Sequence, residues 1–411
     1  MNNLNLEQLS IAIAGNTAAI RHKVHLTPAE GPGGKIFPPT HVGGIYAWEQ
    51  RRLADDKIVT TVLLDSVQSQ ANRMEQALLR AYQAKQLQLP LLLIDLTEEF
   101  PDVGIITTLD APHRIADALF RESKLDGIKF RDSEVGKAFI SSTTRNATGL
   151  FQYCPHALIF GVWDSTSLEG KGGNRFQRAI VSEIVGINAE AGVRTRSRID
   201  PFVLSNPDLY QMPDEGGWTI FPEKAARDEK GNPVKYGKKL SELNLGNVTP
   251  DLVRYDPKDG RPIRTKNEVF RPDDVLPGGV TIDYAVQTMV LSLPALRRLS
   301  FPVRGKEKAE TELNNAARTV LAALALAGFS HLQGQGYDLR SRCLLIPVGH
   351  APFEMIGNDG KIETFDLNAT VADALYAEAV ENAKALGLPW QDEPIKLIPE
   401  ANLIEAARES R

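Results

Sequence analysis

Residues 58–82 constrain the fold of this chain most. Ile58–Leu64 is β-branched and apolar, the make-up of a buried strand, and it runs with no linker into a helical repeat. Val67, Ala71, Met74, Leu78 and Tyr82 recur at the spacing of one helix face. A strand that feeds a one-sided helix so directly must lay that helix back on a sheet, which requires layered α and β structure. The junction also holds Asp65, Ser66, Gln68, Ser69, Gln70, Asn72 and Arg73. Asp65 or Ser66 serves as N-cap, its side-chain oxygen taking an orphan backbone N–H. Gln68, Asn72, Gln76 and Arg80 lie off the apolar stripe, with Ser69 and Arg73 at its border. The polar groups therefore gather on the first turns, where free N–H groups and the positive dipole end suit phosphate.

The remaining pattern extends this unit. Leu4–Ala14 reads as a short helix. Ala19–Leu26 alternates, so Arg21, Lys23 and His25 share one strand face. EGPGGKIFPPTHVGG is a breaker-rich loop. Strands are expected at Leu91–Leu96, Gly104–Thr108, Ala157–Trp163 and Arg178–Ala189, with a helix at His113–Glu122. Residues 200–276 are dense in Pro, Gly, Asp and Lys, a loop-rich insertion. Val280–Leu293 is a strand or strand pair. Lys306–Ala327 is the strongest helix and ends at Gly328. Arg342–Val348 is a strand and Val371–Leu386 a last helix. The order fits a βαββαβ core with two large insertions, an α+β fold.

Several function classes are excluded. Hydrophobic content of 42% and charged content of 24% are those of a soluble globular protein. No apolar run reaches the roughly 18–20 residues that span a bilayer. The start, MNNLNLEQLSIAIAGN, lacks the basic region of a secretory signal. Cys154 and Cys343 form no CxxC and are expected to be core thiols in a reducing cytoplasm. GPGGKI fails as a phosphate loop, because Ala29 stands where the first Gly belongs and Ile36 follows the Lys. Scattered histidines offer no metal-ligand spacing. Asp65 and Asp164, at strand ends, are the acids most able to serve acid–base chemistry, although such residues more often cap turns.

The positive signal is cationic. Net charge is −5, yet residues 121–198 carry 12 Lys/Arg against 8 Asp/Glu, while residues 350–411 carry 5 against 12. An acidic tail thus masks a basic middle, and phosphate responds to local potential. Arg194, Arg196 and Arg198 alternate in GVRTRSRID; on an extended segment they form a row about 7 Å apart. Lys171, Arg175 and Arg178 sit in GKGGNRFQR and Arg145 in SSTTRN. Together these residues describe an extended polyanion track with modest aromatic interleaving.

LTPAEGPGGKIFPPT, VLLDSVQSQANRMEQALL, ALIFGVWDS and RTRSRIDP together resemble the backbone subunit of type I-G (formerly I-U) CRISPR interference complexes, a branch of the repeat-associated mysterious protein (RAMP) superfamily. The likeness runs through most of the first 200 residues, and DSVQSQANR is its most specific part. It implies a modified RRM, ferredoxin-like (RAMP) palm with finger and thumb insertions. The palm would draw on residues 15–30, 58–85, 155–190 and 305–350, with an insertion at 86–154, a loop-rich insertion at 191–300 and an acidic C-terminal extension at 351–411. The resemblance implies a cytoplasmic, non-catalytic subunit with no cofactor or metal, which polymerises with further copies of itself along CRISPR RNA (crRNA) in a Cascade complex. Its further partners would be target DNA, end-capping and large subunits, and a recruited helicase–nuclease. Arg21, Lys23, Ser69, Gln70, Asn72, Arg73, Arg145, Lys171, Arg175, Arg178, Arg194, Arg196 and Arg198 are then the expected guide-RNA contacts. Two rival readings are a RAMP subunit that cleaves target RNA with a divalent metal through Asp65 or Asp164, and a soluble metabolic enzyme.

Overall fold

A computed structural model of the chain describes residues 3–54, 56–164, 166, 175–202, 204, 207–213, 216–255, 262–263, 276–303 and 310–411. It divides into two compact units. Met1–Gly34, Trp48–Asn188 and Ile282–Arg411 form the first, Lys35–Ala47 and Ala189–Thr281 the second.

The first unit is α+β. Its main sheet contains β1 (Thr17–Pro28), β2 (Trp48–Arg52), β3 (Ile58–Asp65), β4 (Ile180–Ile187), β5 (Tyr284–Ser292), β6 (Tyr337–Arg340), β7 (Cys343–Pro347), β8 (Phe353–Gly357) and β9 (Ile362–Phe365). The strands run in the order β2-β3-β4-β5-β1-β7-β6, with β8 pairing β1 and β9 pairing β8. Within it β7, β1, β5 and β4 lie side by side, each antiparallel to its neighbour. Numbered along the chain these four are strands 4-1-3-2 of a βαββαβ run. Helix α2 (Val67–Gln83) connects the first to the second, and α3 (Glu310–Gly334) the third to the fourth. The β2–β3 hairpin is inserted ahead of α2 and widens the sheet beyond β4.

Alternation decides which face is covered. On β1, Ile20, His22, Val24 and Leu26 are buried, whereas Arg21, Lys23 and His25 point the other way. On β5, Ala285, Gln287, Met289 and Leu291 are buried and their neighbours half-buried. Ile20, Met289, Leu291 and Ile180 share one core with α2, α3 and α1 (Leu6–Ala14). The helices thus cover one face, and the face bearing Arg21 and Lys23 is half-exposed. Helix α3 is apolar nearly all round and is packed by α1, α2 and α4 (Ala369–Ala385).

The structure departs from several sequence expectations. Ala157–Trp163 is no palm strand: Pro155–Phe160 is a helix, followed by a two-residue strand, Val162–Trp163. Pro155 presets the first turn, and an apolar run buried on all sides has no period that separates strand from helix. Gly328 does not end α3, which continues to Gly334. A Cβ at Gly328 would sit 3.2 Å from Leu78 Cδ1, so the glycine serves the close crossing with α2. The expected insertion 191–300 contains the central strand β5; Val280–Leu293 is two strands, one of its two readings, with Pro277–Thr281 paired to Glu190–Val193 in the second unit and Tyr284–Ser292 in the main sheet. Residues 351–411, expected as an acidic C-terminal extension, belong to the first unit. They supply β8, β9, α4 and Ile395–Pro399, the middle strand of a five-stranded sheet between Leu92–Asp95 and Ser123–Leu125. His113–Glu122 forms only a 3-10 turn and a one-turn helix.

The second unit is loop-rich, as its composition predicts. It is built on short antiparallel pairs: Glu190–Val193 with Pro277–Thr281, Thr195–Arg198 with Val248–Leu252, and Tyr210–Gln211 with Trp218–Thr219. Among the described residues no helix is long and apolar enough to cross a membrane.

Candidate nucleic-acid interface

The polar junction ahead of α2 divides between inside and outside. Ser66 caps the helix, its Oγ accepting from the Ser69 N–H at 3.2 Å. Asp65 is 1% exposed and accepts from Gln70 Nε2 at 2.5 Å, Arg73 Nε at 3.0 Å and Arg340 Nη2 at 3.4 Å. Gln70 Oε1 accepts from Ser182 Oγ at 2.9 Å and Gln287 Nε2 at 2.8 Å, and Tyr337 donates to Gln287 Oε1. Gln70 is therefore an interior linker between helix and sheet, not a surface contact, because its amide is used up on protein partners. Arg73 also donates to the Leu339 carbonyl at 2.6 Å. Ser69, Asn72 and the outer part of Arg73 remain at the surface. With Gln76, Arg80 and Asp338 they line a groove of about 420 Å³ on the helix layer.

Arg21 and Lys23 occupy the opposite, half-exposed face. Arg21 lies in a cross-strand row with Val290 and Val181, and its Nε donates to Glu354 Oε2 at 2.5 Å. Lys23 stands opposite Thr288, with Glu183 beyond it. Glu183 is held by Arg51, whose Nη1 donates at 2.7 Å, and these hydrogen bonds raise the arginine's pKa. The His25 ring stacks on Tyr284, centroids 4.8 Å apart at 10°. The alternation of β5 could have placed Tyr284 on this face.

Arg175 and Arg178 meet at a cleft of about 760 Å³ that also includes Trp163, His113 and Arg121. Arg175–Phe176 pairs with Val162–Trp163, which sets the Arg175 guanidinium 6.0 Å from the Trp163 ring centre. Arg178 Nε donates to the Phe160 carbonyl at 3.1 Å. Behind it Arg114 donates two buried hydrogen bonds to the Glu75 carboxylate, at 2.6 and 2.7 Å, and one to the Gly161 carbonyl at 2.8 Å. Burial pushes the Glu75 carboxyl up to about 7, against the pull of Arg114. Burial and the Arg114 charge lower the pKa of Arg178. Gly161 has φ +84°, and a Cβ there would meet the Phe176 carbonyl at 3.0 Å. Val181 on the cleft lip belongs to the Arg21 row, so the cleft opens onto the half-exposed sheet face.

The other expected residues are placed separately. Lys171 lies outside the described residues. Arg145 is exposed in the Thr143–Asn146 turn. Its neighbour Thr144 lines a groove of about 320 Å³ with Arg175 and Arg298. In the second unit Arg194 donates to the Gly44 carbonyl at 3.4 Å, Arg196 pairs with Asp251 at 3.1 Å, and Arg198 donates to the carbonyls of Gly246 and Leu245. This row knits its own unit, with Arg196 the exposed member. The first unit thus collects Arg21, Lys23, Arg175 and Arg178 on connected surface and sets Ser69, Asn72 and Arg73 on its helix layer. Trp163 was missed because one exposed aromatic leaves no periodic signal.

The acids of the rival readings are engaged. Asp164 is 4% exposed and accepts from Arg131 at 3.1 Å and from the Thr166 N–H at 2.9 Å. Among the described residues no three His, Cys, Asp or Glu side chains cluster as metal ligands. Cys154 Sγ lies 3.3 Å from His156 Nε2, but burial pushes the thiol up to about 12 and the imidazole down to about 3, so neither is poised for nucleophilic chemistry. No curated protein matches the chain. Residues 20–191, which span β1, α2, the cleft and β4, match the family model described as CRISPR-associated protein GSU0053, and that match supports a CRISPR-associated protein.

Proposed function

We propose that this chain is a non-catalytic, crRNA-binding backbone subunit of a type I-G CRISPR Cascade complex. It would assemble in the cytoplasm with further copies of itself along the guide, beside end-capping and large subunits. The assembly would support pairing of the guide with target DNA, which a recruited helicase–nuclease then cuts. The observation that carries this reading is the 4-1-3-2 antiparallel order of β7, β1, β5 and β4, with both crossover helices on one face. That is the order of a ferredoxin-like palm, and the family match lies across its first half. Most of the second unit, Ala189–Thr281, lies in the chain between β4 and β5, and on this reading it would be the thumb insertion. Cationic side chains such as Arg21, Lys23, Arg175 and Arg178 favour grip on sugar and phosphate irrespective of sequence.

The test is to purify the chain from cells that also express a CRISPR array and the companion subunits, and to sequence the RNA that comes with it. Enrichment of spacer-derived guides is the expected result. A protein free of nucleic acid, or one carrying bulk cellular RNA at background proportions, would refute the reading. In filter binding, an Arg21→Ala/Lys23→Ala double variant should lower the salt slope by about 1.4, at roughly 0.7 per phosphate contact on a single strand.

A further inference from the structure

The geometry points to Trp163 as a stacking platform for one unpaired base of a single-stranded nucleic acid, with Arg175 and Arg178 receiving the adjoining phosphates. This rests on the guide-binding reading and adds to it a site, a residue and a mode of contact. Trp163 is 60% exposed, although it stands on a strand pair at the wall of a cleft. An indole left this open loses the burial that ordinarily stabilises so large a ring. Arg175 lies over it at cation–π distance, so the ring and its nearest cation are set before any ligand arrives.

Charge in the cleft floor points to an anion. Arg114 and Arg178 approach a single buried carboxylate, Glu75, and Arg114 takes both of its oxygens. Among the described residues the Phe160 carbonyl is the one protein partner of the Arg178 guanidinium. Its remaining N–H donors are a ready fork for a phosphate. Asp164 does not cancel this surplus, because Arg131 already neutralises it. Through Val181 the cleft continues to the Arg21 row two strands away, roughly 10 Å across the sheet. A chain with alternating bases and phosphates fits that sequence of ring, fork and cationic row. A base π-face stacks whatever its letter, so the site reads no sequence.

The test uses the full chain and a short fluorescent oligoadenylate RNA, with affinity measured across a salt series. Trp163→Leu should raise Kd about tenfold and leave the salt slope unchanged, since stacking releases no counterions. Trp163→Phe should recover most of the affinity. Arg178→Gln should instead flatten the slope by roughly 0.7. Trp163→Leu is expected to keep the wild-type urea midpoint, because the ring is largely exposed. If Trp163→Leu binds within twofold of wild type, the platform is wrong while the guide-binding reading stands. A Trp163→Leu loss accompanied by a flatter slope would mean that Trp163 only positions Arg175, and would also overturn the platform. Wild-type protein with no RNA affinity at any salt would refute both.

Discussion

Replacing Gln70 by Met separates an interior role from a surface one. The side chain keeps its length and loses its polarity. Gln70 is 1% exposed and makes three hydrogen bonds, to Asp65, Ser182 and Gln287. Asp65 retains Arg73 and Arg340, so its loss is largely compensated. The Ser182 hydroxyl, 1% exposed, and one Gln287 amide proton, on a residue 0% exposed, are left without their acceptor. Two orphaned buried donors at about 1–3 kcal/mol each give a loss of about 4 kcal/mol. That is a large share of the roughly 5–15 kcal/mol available to an ordinary domain. Urea unfolding followed by circular dichroism should show a lower midpoint at unchanged slope. RNA affinity of the folded fraction should match wild type. A loss under about 1 kcal/mol together with weakened RNA binding would return Gln70 to the surface and refute the network.

Two further outcomes follow from burial. Burial holds His22 near 4 and His156 near 3, both below the usual 6.5, so the unfolded chain takes up their protons more readily. Stability is whole above 6.5 and drains as pH falls toward 4, by on the order of 5 kcal/mol for the pair near pH 4.5 at 1.36 kcal/mol per unit per group. Urea unfolding of wild type and His22→Gln near pH 7 and pH 4.5 isolates the first histidine: the variant should lose about 2.7 kcal/mol less than wild type between the two, and equal losses would contradict the assignment. Burial also raises both thiols, Cys154 to about 12, so native protein should leave a thiol reagent unreacted near pH 8 and react at both cysteines once unfolded. Rapid labelling of folded protein would show that the core around α3 opens.

Sequence pattern located the elements whose period is clean. β1 and α2 fall where alternation and the helical stripe put them, because each has one buried and one open face. It failed where burial is complete. The apolar run at 157–163 and the whole of α3 present no contrast between faces, so the first was given the wrong type and the second the wrong end. It could not sort the polar cluster either. Gln70 and Asn72 carry the same amide chemistry two residues apart, yet one faces Ser182 and Gln287, which lie far along the chain. The arginine row at 194–198 shows the same limit, since its partners Asp251, Leu245 and Gly246 come from a distant strand and loop. Trp163 became visible only when the fold showed it uncovered.

The position of β5 has a consequence for how the protein is made. It lies between β1 and β4, yet it is synthesised after the whole second unit. Until Ser292 clears the ribosome, neither edge of Thr17–Pro28 has its partner strand, since β5, β7 and β8 all come later in the chain. At about 5–20 residues per second that interval is roughly 15–50 s, long enough for a bare strand edge to find the wrong mate. Nascent-chain custody by a holding chaperone, or an early partner laid along the open strand, would then govern yield more than the stability of the finished molecule.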